Sequence, residues 1–322
     1  MSSLKMVDDI YARFADSLGE PLKQHAHALA FTLKLVPVPD APWSEVFGHE
    51  VTLAAPALFA EAMPHVSDSD MRDAVAAQAF AAIEAFGTDR IEDRQVSPTT
   101  ELRAVLAKIR GARDAALDRV RGPRKDTTLD FDIAHERTLT SIRMERRILA
   151  EQGAVPFQTY ESVSLGKQSV GFPPSLSLAF AAGWTTRQRR AMSQMLTSIW
   201  LGLQMPDDVV DWEDDLRRGG AWAVSLALTT VSRPMRAIQS LGPADVRELV
   251  FSSGVLVKML ARAAWHFRRV RLISEVLGTH RLGAWAADRE RHTRALVSNE
   301  RRSAGYAARS HALIAWAKEV LA

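Results

Sequence analysis

Residues 203–220 read "LQMPDDVVDWEDDLRRGG" and set six carboxylates into the nine positions from Asp207 to Asp215 before turning basic. Asp207, Asp211 and Asp215 are spaced i, i+4, i+8, so on a helix they drift by only about 80°. Asp208 falls on nearly the same face. Val209, Val210 and Leu216 point elsewhere, which gives the stretch a packing side as well as an acidic one. Like charges at i, i+4 destabilise a helix by roughly a few tenths of a kcal/mol per pair. Such a row needs compensation, and hard divalent cations held by carboxylate oxygens supply it. The plain alternative is a solvated acidic face. Trp212 inside the run, Pro206 at its start and the apolar "IWLGLQM" leading into it favour the wall of a buried cavity.

A second acidic stretch strengthens that reading. "FGTDRIEDRQ" places Asp89, Glu92 and Asp93 at i, i+3, i+4, again on one face. It ends the alanine-rich "RDAVAAQAFAAIEAF", which has the composition of a core helix. Two core helices with acid-rich ends are expected to face one another across a cavity. There they would hold several Mg²⁺ ions and, through them, a diphosphate, whose departure leaves a carbocation.

The rest of the chain is consistent with an all-α protein. Helical periodicity dominates the 322 residues, and no alternating strands, hairpin signals or internal repeats interrupt it. Ten helices are expected, near 4–34, 43–63, 68–93, 98–121, 128–151, 158–182, 186–217, 221–240, 244–277 and 281–320, the last broken near Gly305. Ser97 with Pro98 reads as a helix start, Thr185 with Gln188 as a capping box, and Pro243 with Asp245 as another first turn. "RGPRKDTT" at 121–128 is the most linker-like stretch, yet it is too short to demand a domain boundary, and one domain over 1–322 is expected.

Composition removes several function classes. There is no cysteine, which excludes disulfides, thiolate metal sites and a cysteine nucleophile; a cytoplasmic setting is expected. Forty-one basic and 38 acidic residues nearly balance, so no nucleic-acid partner is expected. No run approaches the roughly 18 apolar residues of a membrane span. The histidines lack paired ligand spacing, and no nucleotide-binding or nucleophile-elbow fingerprint occurs. "WHFRRVR" at 265–271, basic and aromatic, is read as an ordinary helix face, with contact to a membrane surface or nucleic acid as the alternatives.

The two acidic stretches together resemble the class I isoprenoid synthases, especially the squalene and phytoene synthase branch. Asp89, Glu92 and Asp93 match its D-x-x-E-D. Gln204, Asp207, Asp211, Asp215, Arg217, Arg218 and Gly219 fall in register with its second motif and arginine-arginine-glycine tail. The motifs are separated by 122 positions from Asp89 to Asp211, and "YESVSLG" between them echoes a family tyrosine-to-glycine stretch at Tyr160 and Gly166. The resemblance covers residues 70–225. It implies a helical bundle around an apolar cavity, with Asp89, Glu92, Asp93, Asp207, Asp208, Asp211 and Asp215 as Mg²⁺ ligands. It also implies catalytic roles for Asp89, Asp93, Asp207, Asp211 and Tyr160. A prenyl diphosphate would be gripped by Lys167, Gln204, Arg218, Arg301, Arg302 and Tyr306.

Departures narrow the expectation. Val210 stands where the family often has arginine, "GAWAVS" replaces the usual segment after the glycine, and Asp208 creates D-D-x-x-D, which resembles linear prenyl diphosphate synthases and some terpene cyclases. These favour an enzyme that ionises one prenyl chain and cyclises or quenches the cation. Head-to-head condensation, diphosphate hydrolysis and a non-catalytic isoprenoid-binding relative stay open. Oligomeric state is not encoded in any of these features.

Overall fold

The computed structural model describes residues 3–47, 49–122, 131–151, 153–231 and 242–321, and the side chains among them other than those of 231 and of 303 onward. These residues form fifteen α-helices and no β-strand. In chain order they are α1 (Ser3–Asp16), α2 (Leu22–His27), α3 (Leu29–Thr32), α4 (Val51–Phe59), α5 (Asp68–Glu92), α6 (Thr100–Arg121), α7 (Phe131–Glu151) and α8 (Phe157–Lys167). Then follow α9 (Pro173–Ala181), α10 (Thr186–Val210), α11 (Trp212–Arg218), α12 (Trp222–Val231), α13 (Pro243–Ser252), α14 (Val255–Leu277) and α15 (His280–Leu321).

Local chemistry accounts for the added breaks. Pro173 and Pro174 open α9 after a short 3-10 turn, so the segment expected as one helix over 158–182 becomes two. Gly254, at φ +69°, separates α13 from α14. Asp211 leaves helical geometry at φ −96°, ψ 2° and divides the acidic stretch between α10 and α11. Conversely, α15 runs through Gly305, where a break is expected from the sequence. The Thr185–Gln188 box forms as read, and Gly242 donates its backbone N–H to Asp245 at 3.0 Å ahead of α13. Ser97 is not the cap of α6: Thr99 is, accepting from the Leu102 N–H at 3.1 Å. Most of the linker-like stretch 121–128, and the end of the helix expected over 221–240, lie outside the described residues.

The chain divides into two compact units, neither continuous in sequence. The first comprises Met1–Leu139, Gln168–Leu196 and Glu275–Leu282; the second comprises Thr140–Lys167, Thr197–Ser274 and Gly283–Ala322.

The first unit is built around α5, which is buried from Ala74 through Glu84 with α4, α6 and α9 packed against it. Alanine on so many positions lets neighbouring helices approach on all sides. Pro56 in α4 lacks an N–H for the Thr52 carbonyl, and the buried Gln78 amide of α5 donates to that carbonyl at 3.0 Å. The second unit has its own core, in which Tyr160, Met205, Val209, Trp212, Trp222 and Met259 are buried.

Candidate functional site

In the second unit, α10 carries the acidic row toward its end. Met205, Val209 and Trp212 are buried on the packing side, as the pattern requires, whereas Val210 is 72% exposed and does not join them. Val209, Val210 and Trp212 line a cavity of about 360 Å³ with Leu256 and Leu260, and Glu213, Asp214 and Glu300 give it an acidic border. The basic tail folds back onto the acids: Arg217 pairs with Asp214, and Arg218 Nη1 lies 3.3 Å from Asp215 Oδ1. Gly219 and Gly220 then turn the chain at φ +137° and +155°. A Cβ on Gly220 would stand 2.6 Å from the Leu149 carbonyl oxygen, so glycine is required by both conformation and space.

Asp208 is the buried member of the row. Tyr160 donates its hydroxyl to Asp208 Oδ2 at 2.6 Å, and Gln204 Nε2 donates to Oδ1 at 2.9 Å. Phe157 and Trp222 stack edge-on against the Tyr160 ring, at centroid distances of 5.5 and 5.2 Å. Beside this cluster Glu145 of α7 accepts from Lys167 and, at 2.7 Å, from the Trp222 indole N–H. The Lys167 ammonium is thereby directed onto Glu145. Gly166 makes this packing of α7 on α8 possible: a Cβ there would sit 1.9 Å from Ser141 Oγ. Close helix approach therefore explains a glycine whose cost in a helix, about 1 kcal/mol against alanine, is otherwise unaccounted for.

The electrostatics of the cluster follow from burial and a shortage of positive charge. Burial pushes the Asp208 carboxyl up to about 7, against the hydrogen bonds from Tyr160 and Gln204 and with Glu145 adding to the rise. Burial likewise raises Asp215 to about 6; Arg218 opposes it, while Asp211 and Glu145 reinforce it. Asp207 is raised by burial and then by Asp211 one turn on. The Tyr160 hydroxyl is held well above its usual range by burial and by the neighbouring Asp208 carboxylate. Among the described residues no three carboxylate or imidazole groups converge closely enough to enclose a metal ion by themselves. Mg²⁺ takes one or two protein carboxylates and completes its shell with water and phosphate oxygens, so it does not need three such groups to converge.

In the first unit the other acids close α5. Asp89 is half-buried on its last turn, while Glu92 and Asp93 are exposed. Asp93 is the C-cap, its N–H donating to the Asp89 carbonyl at 2.7 Å, and Arg94 follows in the left-handed region at φ +54°. Ser67 caps the far end of α5, accepting from the Asp70 N–H. Five residues before Asp89 lies a group to which the spacing rules do not point. Glu84, almost fully buried, accepts from Arg110 Nε at 2.6 Å and from the fully buried Arg113. Arg113 also stacks its guanidinium on Phe131 at 4.6 Å. An i, i+3 arginine pair on an amphipathic helix is the one sequence signal for this network. Glu145 had no such signal, lying among arginines in "RMERR".

Arg301 and Arg302 are exposed on α15, and Arg302 donates to Asn299 one turn back. The side chain of Tyr306 lies outside the described residues. Thus Tyr160, Gln204, Asp207, Asp208 and Asp215 of the expected set form one cluster with Lys167 at its edge.

Comparison with solved structures gives the fold its relatives. A geranylgeranyl pyrophosphate synthase from Lactobacillus brevis superposes with a TM-score of 0.65 over 90% of this chain and 95% of that one, at 18% identity. The chain has the all-α fold of the isoprenoid synthases. A polyprenyl synthetase from Streptomyces coelicolor matches with a TM-score of 0.61 over 89% of this chain and 97% of that one, at 12% identity. A polyprenyl synthase from Caulobacter crescentus, solved with calcium and isoprenyl diphosphate, matches at 0.54 over 90% and 98%, at 16% identity. These isoprenoid synthase-fold neighbours carry the names of prenyl synthases, not of squalene or phytoene synthases. No family model and no curated protein matches the sequence. Among the described residues no helix of this isoprenoid synthase fold is long and apolar enough to cross a membrane.

Proposed function

We propose that the protein is a Mg²⁺-dependent enzyme that ionises a linear prenyl diphosphate and cyclises or quenches the resulting carbocation, releasing pyrophosphate. The observation that carries the reading is the row Asp207, Asp211 and Asp215 at successive turns of α10–α11, beside the buried cluster in which Tyr160 and Gln204 hold Asp208. Asp207, Asp211 and Asp215 are the proposed ligands there; Asp89, Glu92 and Asp93 are proposed as a second ligand set of the same kind. Bound Mg²⁺ would neutralise the leaving diphosphate.

The chain's own residues have distinct proposed roles. Tyr160 and Gln204 hold Asp208 in place and so fix the turn of α10 from which Asp207 and Asp211 project. Glu145 holds Lys167 at the edge of the cluster, from which the ammonium can turn to an anionic substrate. Arg218, paired loosely with Asp215 at 3.3 Å, is the cation most easily exchanged onto a diphosphate. Arg301, Arg302 and Tyr306 remain proposed diphosphate contacts. Phe157, Tyr160 and Trp222, packed edge-on, exclude water from this side of the cluster.

Chain elongation is the second reading, favoured by the fold shared with prenyl synthases and by the D-D-x-x-D from Asp207 to Asp211. Pyrophosphate release from prenyl diphosphates of increasing length, each alone and together with isopentenyl diphosphate as acceptor, with Mg²⁺ and with chelator, tests both. A product with the carbon number of its substrate supports the first reading, and a lengthened diphosphate the second. Asp211→Ala is expected to lower metal-dependent release by about 10³-fold; unchanged turnover in that variant removes Asp211 from the site.

A further inference from the structure

The outer face of α14 has no role in the proposed chemistry, and its composition is unusual for a solvated helix. Between 258 and 274 the chain carries five basic residues and no carboxylate, although its total charge is only +3. Lys258, Arg262, Trp265, Arg268, Arg269 and Leu272 fall within an arc of about 120° on that helix. The opposite arc, from Leu256 and Met259 through Ala263, Phe267 and Val270, is buried. The outer arc is therefore held outward by packing.

Its apolar members are not covered. Trp265 is 44% exposed and Leu272 46%. The indole is flanked by two guanidiniums, Arg262 at 4.4 Å and Arg269 at 5.6 Å from the ring centroid. Beside them, Arg268 and Arg271 share a groove with Arg291 and Arg294 of α15. The carboxylates facing this surface are few. Glu161 pairs with Arg262, Glu290 is shared by Arg271 and Arg294, Asp288 takes Arg291, and Glu275 is exposed one turn beyond Leu272.

We infer that this face docks the protein onto an anionic lipid bilayer. Arginine and lysine stems lie along apolar surface while their charges reach phosphate oxygens, and tryptophan settles at the boundary between headgroup and acyl chain. Leu272 is positioned one helical turn from Arg268 and Arg269 to enter that boundary. A nucleic-acid backbone would use the arginines equally well but would leave Leu272 exposed, which is why the lipid surface is the better complement. The inference stands on α14 and α15 alone and does not depend on the reaction catalysed.

The test is co-sedimentation of the full chain with phosphatidylcholine vesicles containing or lacking phosphatidylglycerol. Binding is expected only to the anionic vesicles and is expected to weaken with salt. Arg268→Glu with Arg269→Glu should weaken it by roughly 30-fold or more, and Leu272→Asp by roughly tenfold. Acyl-chain-brominated lipids should quench tryptophan fluorescence in the native chain and less in Trp265→Phe, a readout that does not rely on the charged variants folding. Failure to bind anionic vesicles at low salt would overturn the inference. So would loss of binding on charge reversal with none on Leu272→Asp, or tighter binding to duplex DNA than to the vesicles.

Discussion

Two buried carboxylates, one in each unit, are treated in opposite ways. Glu84 in the first unit accepts from two guanidiniums, and Arg113 is itself covered by the Phe131 ring. Asp208 in the second unit accepts from a phenol and an amide, both neutral, while the one ammonium nearby is held by Glu145. The first acid is matched by permanent charge and serves packing. The second sits in a row with too little positive charge, and its carboxyl is pushed up to about 7. The deficit marks where an added cation would be stabilising; burial alone does not.

The largest effect should come from unbalancing the matched pair. Arg113→Met leaves Glu84 buried with half of its compensation and is expected to cost about 3–5 kcal/mol in denaturant unfolding, most of it recovered by adding Glu84→Gln. If the single variant were as stable as the native chain, the contrast between the two acids would collapse.

The unmatched acid should show itself through pH. With a folded value near 7, above that of the unfolded carboxyl, Asp208 keeps its proton on folding between about pH 4 and 7. Its contribution to stability is therefore largest at low pH and declines as pH rises toward 7. In chelator, unfolding free energy is expected to fall by about 2 kcal/mol from pH 5 to 7 on this account. Asp208→Asn should reduce that slope and leave the share that Asp215, raised to about 6, contributes; an unchanged slope would place the titration elsewhere.

The smallest effect belongs to the exposed pair. Arg218→Ala should change stability by less than about 0.5 kcal/mol, since an exposed contact is screened. The same change should raise the KM for a prenyl diphosphate several-fold and lift Asp215 above about 6, because Arg218 is the group opposing its rise. A drop in stability with KM unmoved would make Arg218 a structural residue.

The acidic stretches were legible because i, i+4 spacing is a property of the chain; α5 carries the first to its C-cap at Asp93, whereas the single helix expected over 186–217 breaks at Asp211 and shares the second between α10 and α11. The capping box at Thr185 and the first turn of α13 at Pro243 and Asp245 were legible for the same reason: each is written in residues no more than three apart. Misplacing the α6 cap at Ser97 shows the limit of local rules, because Ser97 and Thr99 both qualify and the helix started at the later one. Val210 shows another limit. Asp211 ends α10, so the periodicity that assigned Val210 to the packing side stops beside it.

By itself the sequence determined the helical class, the two acidic faces and the glycines of the basic tail, all consequences of residue type and short-range spacing. Tertiary structure alone decided that Asp208 is the buried acid, that its partner is Tyr160 from 48 residues earlier, and that Lys167 is directed onto Glu145. Periodicity specifies the side of a helix on which a carboxylate lies. Its charge state is set by what packs on that side, and those groups come from helices remote in the chain.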